Sequence, residues 1–474
     1  MSRLTSFSTV LGVAGLCALA VGCPSREVAK IDPGQQKQER KDIPVSVNRD
    51  IDILFVIDNS QSMNEEQTSI TNNFQRFINV LENIEGGLPN VHIGVVSSNA
   101  GVGGYNVPGC LSAGDDGRLQ NAPRGSCSPP SGYFISDIDG GGGMRTQNYT
   151  GTLAQTFSCI AKIGINGCGL EQHLESMKRA LDGHNTQNAG FLRENAFLAI
   201  IFIADEDDCS AKDSTVFDPS QTSVSDPLGP LTSFRCTEFG IKCNGSNLSR
   251  MPAQYDPPGG GVECQPRTDS YMEDPVAYAS FIKSLKGDPG LIITAGIIGN
   301  LDPTAVGLDG DGQPELLPSC QTSAGKAVPG VRIKSFLDQF PNRNTFTSIC
   351  NEDLSDALET IAALLKRIIG TPCLEGSIPQ VAGGGYDIDA NAPGIQIDCA
   401  VSFVQNPDTD FEMQTVLARC PMQDDATLSP SAVAPCWYTI VDTMCMFPTQ
   451  LGLLVHGADT APANTHVIAS CVTQ

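Results

Sequence analysis

The side chains best suited to chemistry in this sequence carry oxygen and directly follow two apolar runs. Asp58, Ser60 and Ser62 follow the run IDILFVI, and Asp205 follows the run FLAIIFIA, which ends at Ala204. Carboxylate and hydroxyl oxygens are the hard ligands that Mg²⁺, Mn²⁺ and Ca²⁺ prefer. The sequence therefore predicts a divalent-cation site formed by these four side chains. The alternative for the two serines is that they only cap the helix that follows them.

The apolar runs predict the elements that position these residues. Ile51–Ile57 and Phe197–Ala204 are short and apolar on both faces, which is typical of strands buried in a parallel sheet. Strands that alternate with helices favour a doubly wound, mostly parallel α/β sheet, in which ligands bind at the carboxyl ends of the strands. The other predicted strands are Val91–Val96, Leu291–Ile298 and Thr345–Ile349. The predicted helices are Ile70–Ile84, Leu170–Leu181, Val276–Leu285, Ile333–Phe340 and Asp353–Ile369.

A strand, an acidic and hydroxyl loop, and a helix in this order resemble the von Willebrand factor type A domain, also called the integrin I-like fold. Asp58, Ser60 and Ser62 match the Asp-x-Ser-x-Ser motif of that family, and Asp205 matches its later aspartate. The resemblance covers about residues 50–370. It implies a metal-ion-dependent adhesion site, where a bound Mg²⁺, Mn²⁺ or Ca²⁺ accepts an acidic residue of a protein ligand.

The match to this family lacks one ligand. The family usually supplies a threonine from a Gly-rich loop before the next helix, and the corresponding segment here, Asn166–Gln172, has none. Glu171 is a candidate to replace the threonine. The alternative, which the sequence favours, is that Glu171 only places a negative charge at a helix N-terminus. The departure affects metal preference and ligand affinity, and leaves the predicted fold unchanged.

Two further acidic segments are candidates for cation binding. Asp207 and Asp208 continue the acidic run after Asp205 and are candidate ligands of an additional ion, with a solvated acidic loop as the alternative. The segment Asp309–Glu315 resembles a fragment of a calcium loop. It lacks the third side-chain ligand and contains Pro314, so a complete EF-hand is not expected.

The N-terminus predicts export and lipid anchoring. A basic residue precedes the apolar run Val10–Val21, and this run ends at Gly22-Cys23, which resembles a bacterial lipobox. The sequence thus predicts a signal peptide over residues 1–22, a lipidated Cys23 and a flexible tether over residues 23–49. Localisation is expected at the cell envelope, with the outer membrane or cell surface favoured over the inner membrane. The composition also resembles that of lipoproteins from myxobacteria.

The cysteine count fits an exported protein. Of the 18 cysteines, sixteen would remain after removal of the signal and lipidation of Cys23. Disulfides are favoured over zinc because the five histidines and the cysteines lack metal-ligand spacing. Pairs close in sequence are the candidates: Cys110 with Cys127, Cys159 with Cys168, Cys236 with Cys243, and Cys436 with Cys445. Residues 371–474 hold six cysteines and short strand-like runs, which predict a small, β-rich, disulfide-stapled domain.

Charge and motifs limit the function. The formal net charge of −24 argues against nucleic-acid binding and against anionic membranes, so membrane contact is expected only through the lipid. Hydrolase, phosphate-loop and zinc-protease motifs are missing, and we expect a binding protein for a protein or polysaccharide ligand rather than an enzyme. The alternatives are an assembly subunit of an envelope complex with a purely stabilising metal and, remotely, a hydrolase with two metals held by Asp58, Asp205, Asp207 and Asp208.

Overall fold

The structure is a computed structural model. It describes residues 37–44, 50–84, 87–110, 113–122, 127–140, 144–255, 264–287, 289–322, 325–341, 343–351, 353–369, 374, 378, 393–405, 412–441, 450–457 and 465–473. The predicted signal peptide and Cys23 lie outside these ranges. No helix among the described residues has the length and apolar character needed to cross a membrane.

The described residues form helices and strands that alternate along most of the chain. The helices are α1 (Asn64–Glu82), α2 (Leu153–Ala161), α3 (His173–Leu181), α4 (Phe234–Gly240), α5 (Pro275–Ser284), α6 (Val331–Leu337) and α7 (Ser355–Ile369). The strands are β1 (Lys37–Pro44), β2 (Asp50–Ile57), β3 (Asn90–Ser97), β4 (Ile135–Asp139), β5 (Arg145–Gln147), β6 (Phe197–Ile203), β7 (Ile241–Cys243), β8 (Ser246–Asn247), β9 (Ala253–Gln254), β10 (Cys264–Pro266), β11 (Ile292–Ile298), β12 (Ala305–Leu308), β13 (Pro314–Leu316), β14 (Cys320–Thr322), β15 (Gly325–Ala327), β16 (Asn344–Ser348), β17 (Cys399–Gln405), β18 (Met413–Arg419), β19 (Cys436–Val441), β20 (Leu451–His456) and β21 (Thr465–Thr473).

The central sheet is mostly parallel, as the sequence predicts. Its strand order is β16-β11-β6-β2-β3-β4-β5, and the first five of these strands are parallel to one another. The two remaining strands, β4 and β5, extend the sheet as antiparallel edge strands. Strands β2, β6 and β11 are buried along nearly their whole length, which explains why their sequences are apolar on both faces.

Helices cover both faces of this sheet. One face packs against α1, α2 and α7, where Phe55 of β2 meets Phe74, Phe77 and Phe157 of the helices. The other face packs against α3, α5 and α6, with Phe202 of β6 against a phenylalanine of α6. The two layers leave the carboxyl ends of the parallel strands uncovered by these helices, so the loops at that edge form the site.

The C-terminal region is β-rich and disulfide-bonded. Strands β17 to β21 form one sheet with β1, in the order β1-β21-β17-β18-β19-β20. All eight residues of Lys37–Pro44 pair antiparallel with β21, so this part of the predicted tether is a strand. The segment KQERKDIP has no apolar alternation and its polar sequence suggested disorder. A strand at a sheet edge is held by backbone hydrogen bonds, which the side-chain pattern does not show.

Seven disulfides occur among the described residues. They join Cys110 to Cys168, Cys127 to Cys159, Cys209 to Cys236, Cys243 to Cys264, Cys320 to Cys350, Cys399 to Cys471, and Cys420 to Cys436. The prediction of disulfides is confirmed, and the four predicted pairings are wrong. Pairing by nearness in sequence fails because the folded loops bring distant cysteines together. Cys373 and Cys445 lie outside the described residues.

The predicted elements of the α/β part all occur, with shifted ends. The predicted helix over Leu170–Leu181 begins only at His173, because Glu171 and Gln172 belong to the site loop. Sequence analysis missed α2 and α4 inside the long Cys-containing segments. Helix α2 has a complete capping box, in which Thr152 accepts from the Gln155 backbone N–H and the Gln155 side chain accepts from the backbone N–H of Thr152.

Candidate functional site

The loop after β2 carries the first group of predicted ligands. Asp58 is completely buried, and its backbone N–H donates to the carbonyl of Ile203 at the end of β6 (2.9 Å). Its Oδ1 accepts from the backbone N–H of Ser60 (2.7 Å), while its Oδ2 is buried without a hydrogen-bond partner. The Ser60 and Ser62 hydroxyls lie 3.0 Å apart. Ser60 is the N-cap of the 3-10 turn that follows, but its side chain makes no capping bond.

The loop before α3 brings Glu171 into the same site. Gly167 donates its N–H to the carbonyl of Asn59 (2.8 Å), and a Cβ at this glycine would lie 2.1 Å from the Asn59 side-chain oxygen. Only glycine permits this approach. The Gln172 N–H donates to the carbonyl of Ser98 at the end of β3 (2.8 Å). These contacts fix the Glu171 carboxylate beside Asp58.

Three carboxylates converge at this edge of the sheet. One oxygen from each of Asp58, Glu171 and Glu206 lies within 4.8 Å of the other two. Asp58 Oδ2, Glu171 Oε1 and Glu206 Oε2 are buried and have no hydrogen-bond partner. Two ligands on opposite sides of an ion are separated by twice the bond length, about 4.2 Å for Mg²⁺ and about 4.8 Å for Ca²⁺. Oxygens no farther apart than 4.8 Å can therefore share one divalent cation.

The charges of the cluster act on one another. Burial raises the pKa of Asp205 to about 7, and the Asp58 carboxylate adds to this shift. Burial, followed by the charges of Asp58 and Asp205, raises the pKa of Glu171 well above its usual range. Burial, followed by the charge of Glu171, does the same to the pKa of Glu206. Without a cation, this edge of the sheet therefore resists full ionisation at neutral pH.

His173 and Glu66 also border the cluster. The His173 ring is completely buried, with Nε2 3.6 Å from Asp58 Oδ2. Burial lowers the pKa of this ring, and the Asp58 carboxylate raises it. The net shift of the His173 pKa is upward. Glu66, in the first turn of α1, is buried with an unpartnered Oε2. Burial raises the pKa of Glu66 to about 6, and its neighbour Glu65 and Asp58 add to the shift.

The structure gives Asp207 and Asp208 partners within the protein. Asp207 accepts from the backbone N–H groups of Arg332 (2.9 and 3.0 Å) and Ile333 (3.1 Å) at the start of α6. Asp208 accepts from the backbone N–H of Leu174 (2.9 Å) and pairs with the buried Arg332 guanidinium (3.0 Å). Burial still raises the pKa of Asp207 to about 6. Both carboxylates hold helices in place, and neither belongs to the three-carboxylate cluster.

A cavity of about 200 Å³ opens beside the cluster. Its acidic wall includes Glu171, Asp205 and Glu206. The cavity is also lined by segments outside the central sheet: Ser233 and Thr237 of α4 and its N-terminal turn, Glu315 of β13, and Lys326 of β15. Two disulfides tie these segments down, since Cys209 joins the acidic loop to α4 and Cys320 joins the β14–β15 hairpin to the end of β16.

Sequence analysis did not single out Glu206 or His173, and it favoured a helix N-terminal role for Glu171, which the structure places in the three-carboxylate cluster. The acidic run after β6 shows four carboxylates but not which of them turn inward, because Asp207 and Asp208 are withdrawn by helix N-termini that are distant in sequence. The Asp309–Glu315 segment forms an exposed turn, in which Asp309 Oδ1 accepts from the backbone N–H groups of Asp311 and Gln313. None of its acidic residues belongs to the three-carboxylate cluster, although Glu315 lines the cavity beside it.

Comparison with known proteins gives no family assignment. No family model matches the chain, and no curated protein matches it. Among solved structures, proximal thread matrix protein 1 from the mussel byssus covers 69% of this chain (12% identity, TM-score 0.25), and the pilus adhesin RrgA from Streptococcus pneumoniae covers 94% (9% identity, TM-score 0.28). The three N-terminal domains of the type V pili tip protein Mfa5 from Porphyromonas gingivalis cover 91% (11% identity, TM-score 0.22). The chain spans 48%, 60% and 62% of these three structures, respectively. Similarity at this level supports no argument about function.

Proposed function

We propose that this chain is a cation-dependent binding protein of the von Willebrand factor A type, exported and anchored to the cell envelope through Cys23. Its ligand is a protein or polysaccharide that presents an acidic group to a Mg²⁺, Mn²⁺ or Ca²⁺ ion. The proposed ion ligands are Asp58, Glu171 and Glu206. The ion is also contacted, directly or through a water molecule, by Ser60, Ser62 and Asp205.

One observation carries this proposal: buried carboxylate oxygens converge and have no hydrogen-bond partner. Burying an ionised carboxylate without a compensating charge is costly, and proteins relieve it by pairing, by protonation or by a metal ion. Asp58 is 0% exposed and Glu171 is 2% exposed, so solvent does not compensate them. A nearby basic side chain, His173, has its Nε2 3.6 Å from Asp58 Oδ2. A divalent ion supplies the missing charge.

The same geometry favours binding over catalysis. A metal-dependent hydrolase needs a group that takes or gives a proton beside the reacting atoms. His173 is fully buried behind Asp58 and does not line the cavity. Arg332 lines the cavity, but its guanidinium is held by Asp208 and by backbone carbonyls. The carboxyl groups that line the cavity have raised pKa values, and this proposal assigns them to holding the ion rather than to proton transfer.

Isothermal titration with Mg²⁺, Mn²⁺ and Ca²⁺ tests the proposal. The protein should retain Lys37–Pro44, since a chain that starts at Asp50 would lose strand β1. We expect saturable binding by the chelator-treated wild type, loss of binding in Asp58→Ala, and no change in Glu65→Gln, an exposed neighbour of the site. Failure of all three ions to bind the wild type would refute the proposed site.

A second measurement separates ligand binding from a purely structural ion. The melting temperature of Ser60→Ala is measured with and without Mg²⁺. In parallel, the same variant is tested for metal-dependent binding of ligands from a library of acidic peptides and polysaccharides. Loss of capture at an unchanged melting temperature indicates a ligand site. A parallel fall of both indicates that the ion only stabilises the fold, which is the assembly-subunit alternative.

A further inference from the structure

Glu206 differs from the other two carboxylates of the cluster in its position. Asp58 and Glu171 are fully buried, and each has a carboxylate oxygen without a hydrogen-bond partner. Glu206 is only partly buried, and it lines the cavity of about 200 Å³ together with Glu171. Of the three carboxylates of the cluster, Glu206 is therefore the most accessible to a ligand that arrives through the cavity.

The negative charge of the site would repel an additional carboxylate. Asp58, Glu171, Asp205 and Glu206 bring four carboxyl groups to one edge of the sheet, and a divalent ion balances the charge of two ionised carboxylates. A fifth carboxylate, supplied by an acidic ligand, would add repulsion in a poorly solvated site. If Glu206 leaves as the ligand carboxylate enters, the total charge of the site stays the same.

The adjacent cavity is large enough to hold the Glu206 carboxylate after its displacement from the ion. A volume of about 200 Å³ is ample for one carboxylate group. Ser233, Thr237 and Lys326 are among the residues that line it. These groups can donate hydrogen bonds to a displaced carboxylate, and Lys326 can pair with its charge.

We propose that Glu206 is a built-in occupant of the coordination position that an acidic ligand requires, and that ligands bind by displacing it into the adjacent cavity. This inference rests on the proposed function. Glu206 is then the residue that sets specificity, since only a carboxylate that binds better than this intramolecular one gains access. The resting protein is closed to weak, free carboxylates such as acetate.

Binding of Mn²⁺, followed by water-proton relaxation, tests this inference with acetate as the probe. The proteins are the wild type, Glu206→Ala, Glu206→Gln and the control Glu315→Ala, which changes another carboxylate that lines the same cavity and lies outside the cluster. We expect the wild type to bind Mn²⁺ and to be unaffected by acetate. Glu206→Ala should gain one water on the bound ion and bind acetate at least tenfold more tightly, and Glu315→Ala should behave as the wild type.

Each outcome bears on a different claim. Mn²⁺ binding by the wild type, with the same water number and acetate response in Glu206→Ala, overturns the displacement of Glu206 and leaves the proposed function standing. Loss of Mn²⁺ binding in both Glu206 variants makes Glu206 an obligatory ligand and also overturns it. Absence of Mn²⁺ binding in the wild type refutes the proposed function itself.

Discussion

Replacing Asp205 with asparagine should stabilise the metal-free protein at alkaline pH. Asp205 is 3% exposed, and its Oδ1 is buried without a hydrogen-bond partner. Burial and the Asp58 charge make its ionised form unfavourable in the folded state. Asparagine keeps the shape of the side chain and never carries the charge, so Asp205→Asn removes this cost.

The magnitude follows from the pKa of Asp205, which rises from 3.8 to about 7 on folding. A shift of about three units corresponds to about 4 kcal/mol, since one unit is worth about 1.4 kcal/mol. Between these two pKa values the folded state binds more protons than the unfolded state. The free energy of unfolding of the metal-free wild type therefore falls as the pH rises from about 4 to about 7, and changes little above that through this group.

Scanning calorimetry in chelator at pH 4 and pH 8 measures this effect. At pH 8 we expect Asp205→Asn to melt roughly 5–15 °C above the wild type, and at pH 4 the two should agree closely. Tryptophan fluorescence is unsuitable because the single tryptophan, Trp437, lies in the C-terminal sheet. The control, Glu65→Gln, removes a neighbouring exposed charge and should leave the melting temperature nearly unchanged. An Asp205→Asn protein no more stable than the wild type at pH 8 would refute the reasoning.

Three further predictions concern the scaffold. Phe157→Ala opens a cavity in the aromatic cluster under α1 and should cost about 3–5 kcal/mol by calorimetry; a loss below about 1 kcal/mol would show that the cluster is loosely packed. Arg332→Met leaves the buried Asp208 carboxylate without its partner and should cost about 3–5 kcal/mol, whereas an unchanged melting temperature would contradict the buried pair. The double variant Cys420→Ser, Cys436→Ser should lower the free energy of unfolding of the C-terminal sheet by about 2–4 kcal/mol. Denaturant melts followed by tryptophan fluorescence measure this change. A loss of stability in the central sheet instead would contradict the division into two sheets.

The parallel sheet was predictable from the sequence because its strands are buried on both faces. Runs such as FLAIIFIA are typical of strands that are buried on both faces of a sheet. The end of each run indicates which residues lie at the carboxyl edge of the sheet. Asp58 and Asp205 were predicted in this way, since both directly follow such a run, and the structure places Asp58 among the three converging carboxylates. The expected type of ion ligand followed from their oxygens alone.

The remaining parts of the site depend on contacts between distant segments. Glu171 enters the cluster because a glycine loop packs on Asn59 and because Gln172 bonds to the end of β3, and neither contact leaves a periodic pattern in the sequence. The cavity wall is built from α4, β13 and β15, which lie in loops that disulfides hold in place. A cysteine carries no mark of its partner, so the sequence could predict that disulfides form but not which ones.

Strand β1 shows a related limit. Lys37–Pro44 is polar and mixed in charge, and its composition is typical of a tether. Its eight backbone pairs with β21 depend on the free edge that the C-terminal sheet presents. The position of this edge is a property of the folded sheet, since β21 lies more than 400 residues further along the chain.

Anomalous diffraction from crystals soaked in Mn²⁺ tests the central claim most directly, because it locates the ion without assuming its ligands. We expect one strong peak within bonding distance of Asp58 and Glu171, at the carboxyl edge of the central sheet. The same soak of Asp58→Ala crystals should lack this peak. A Mn²⁺ ion found elsewhere, for example at Asp309, with none between Asp58 and Glu171, would contradict the account.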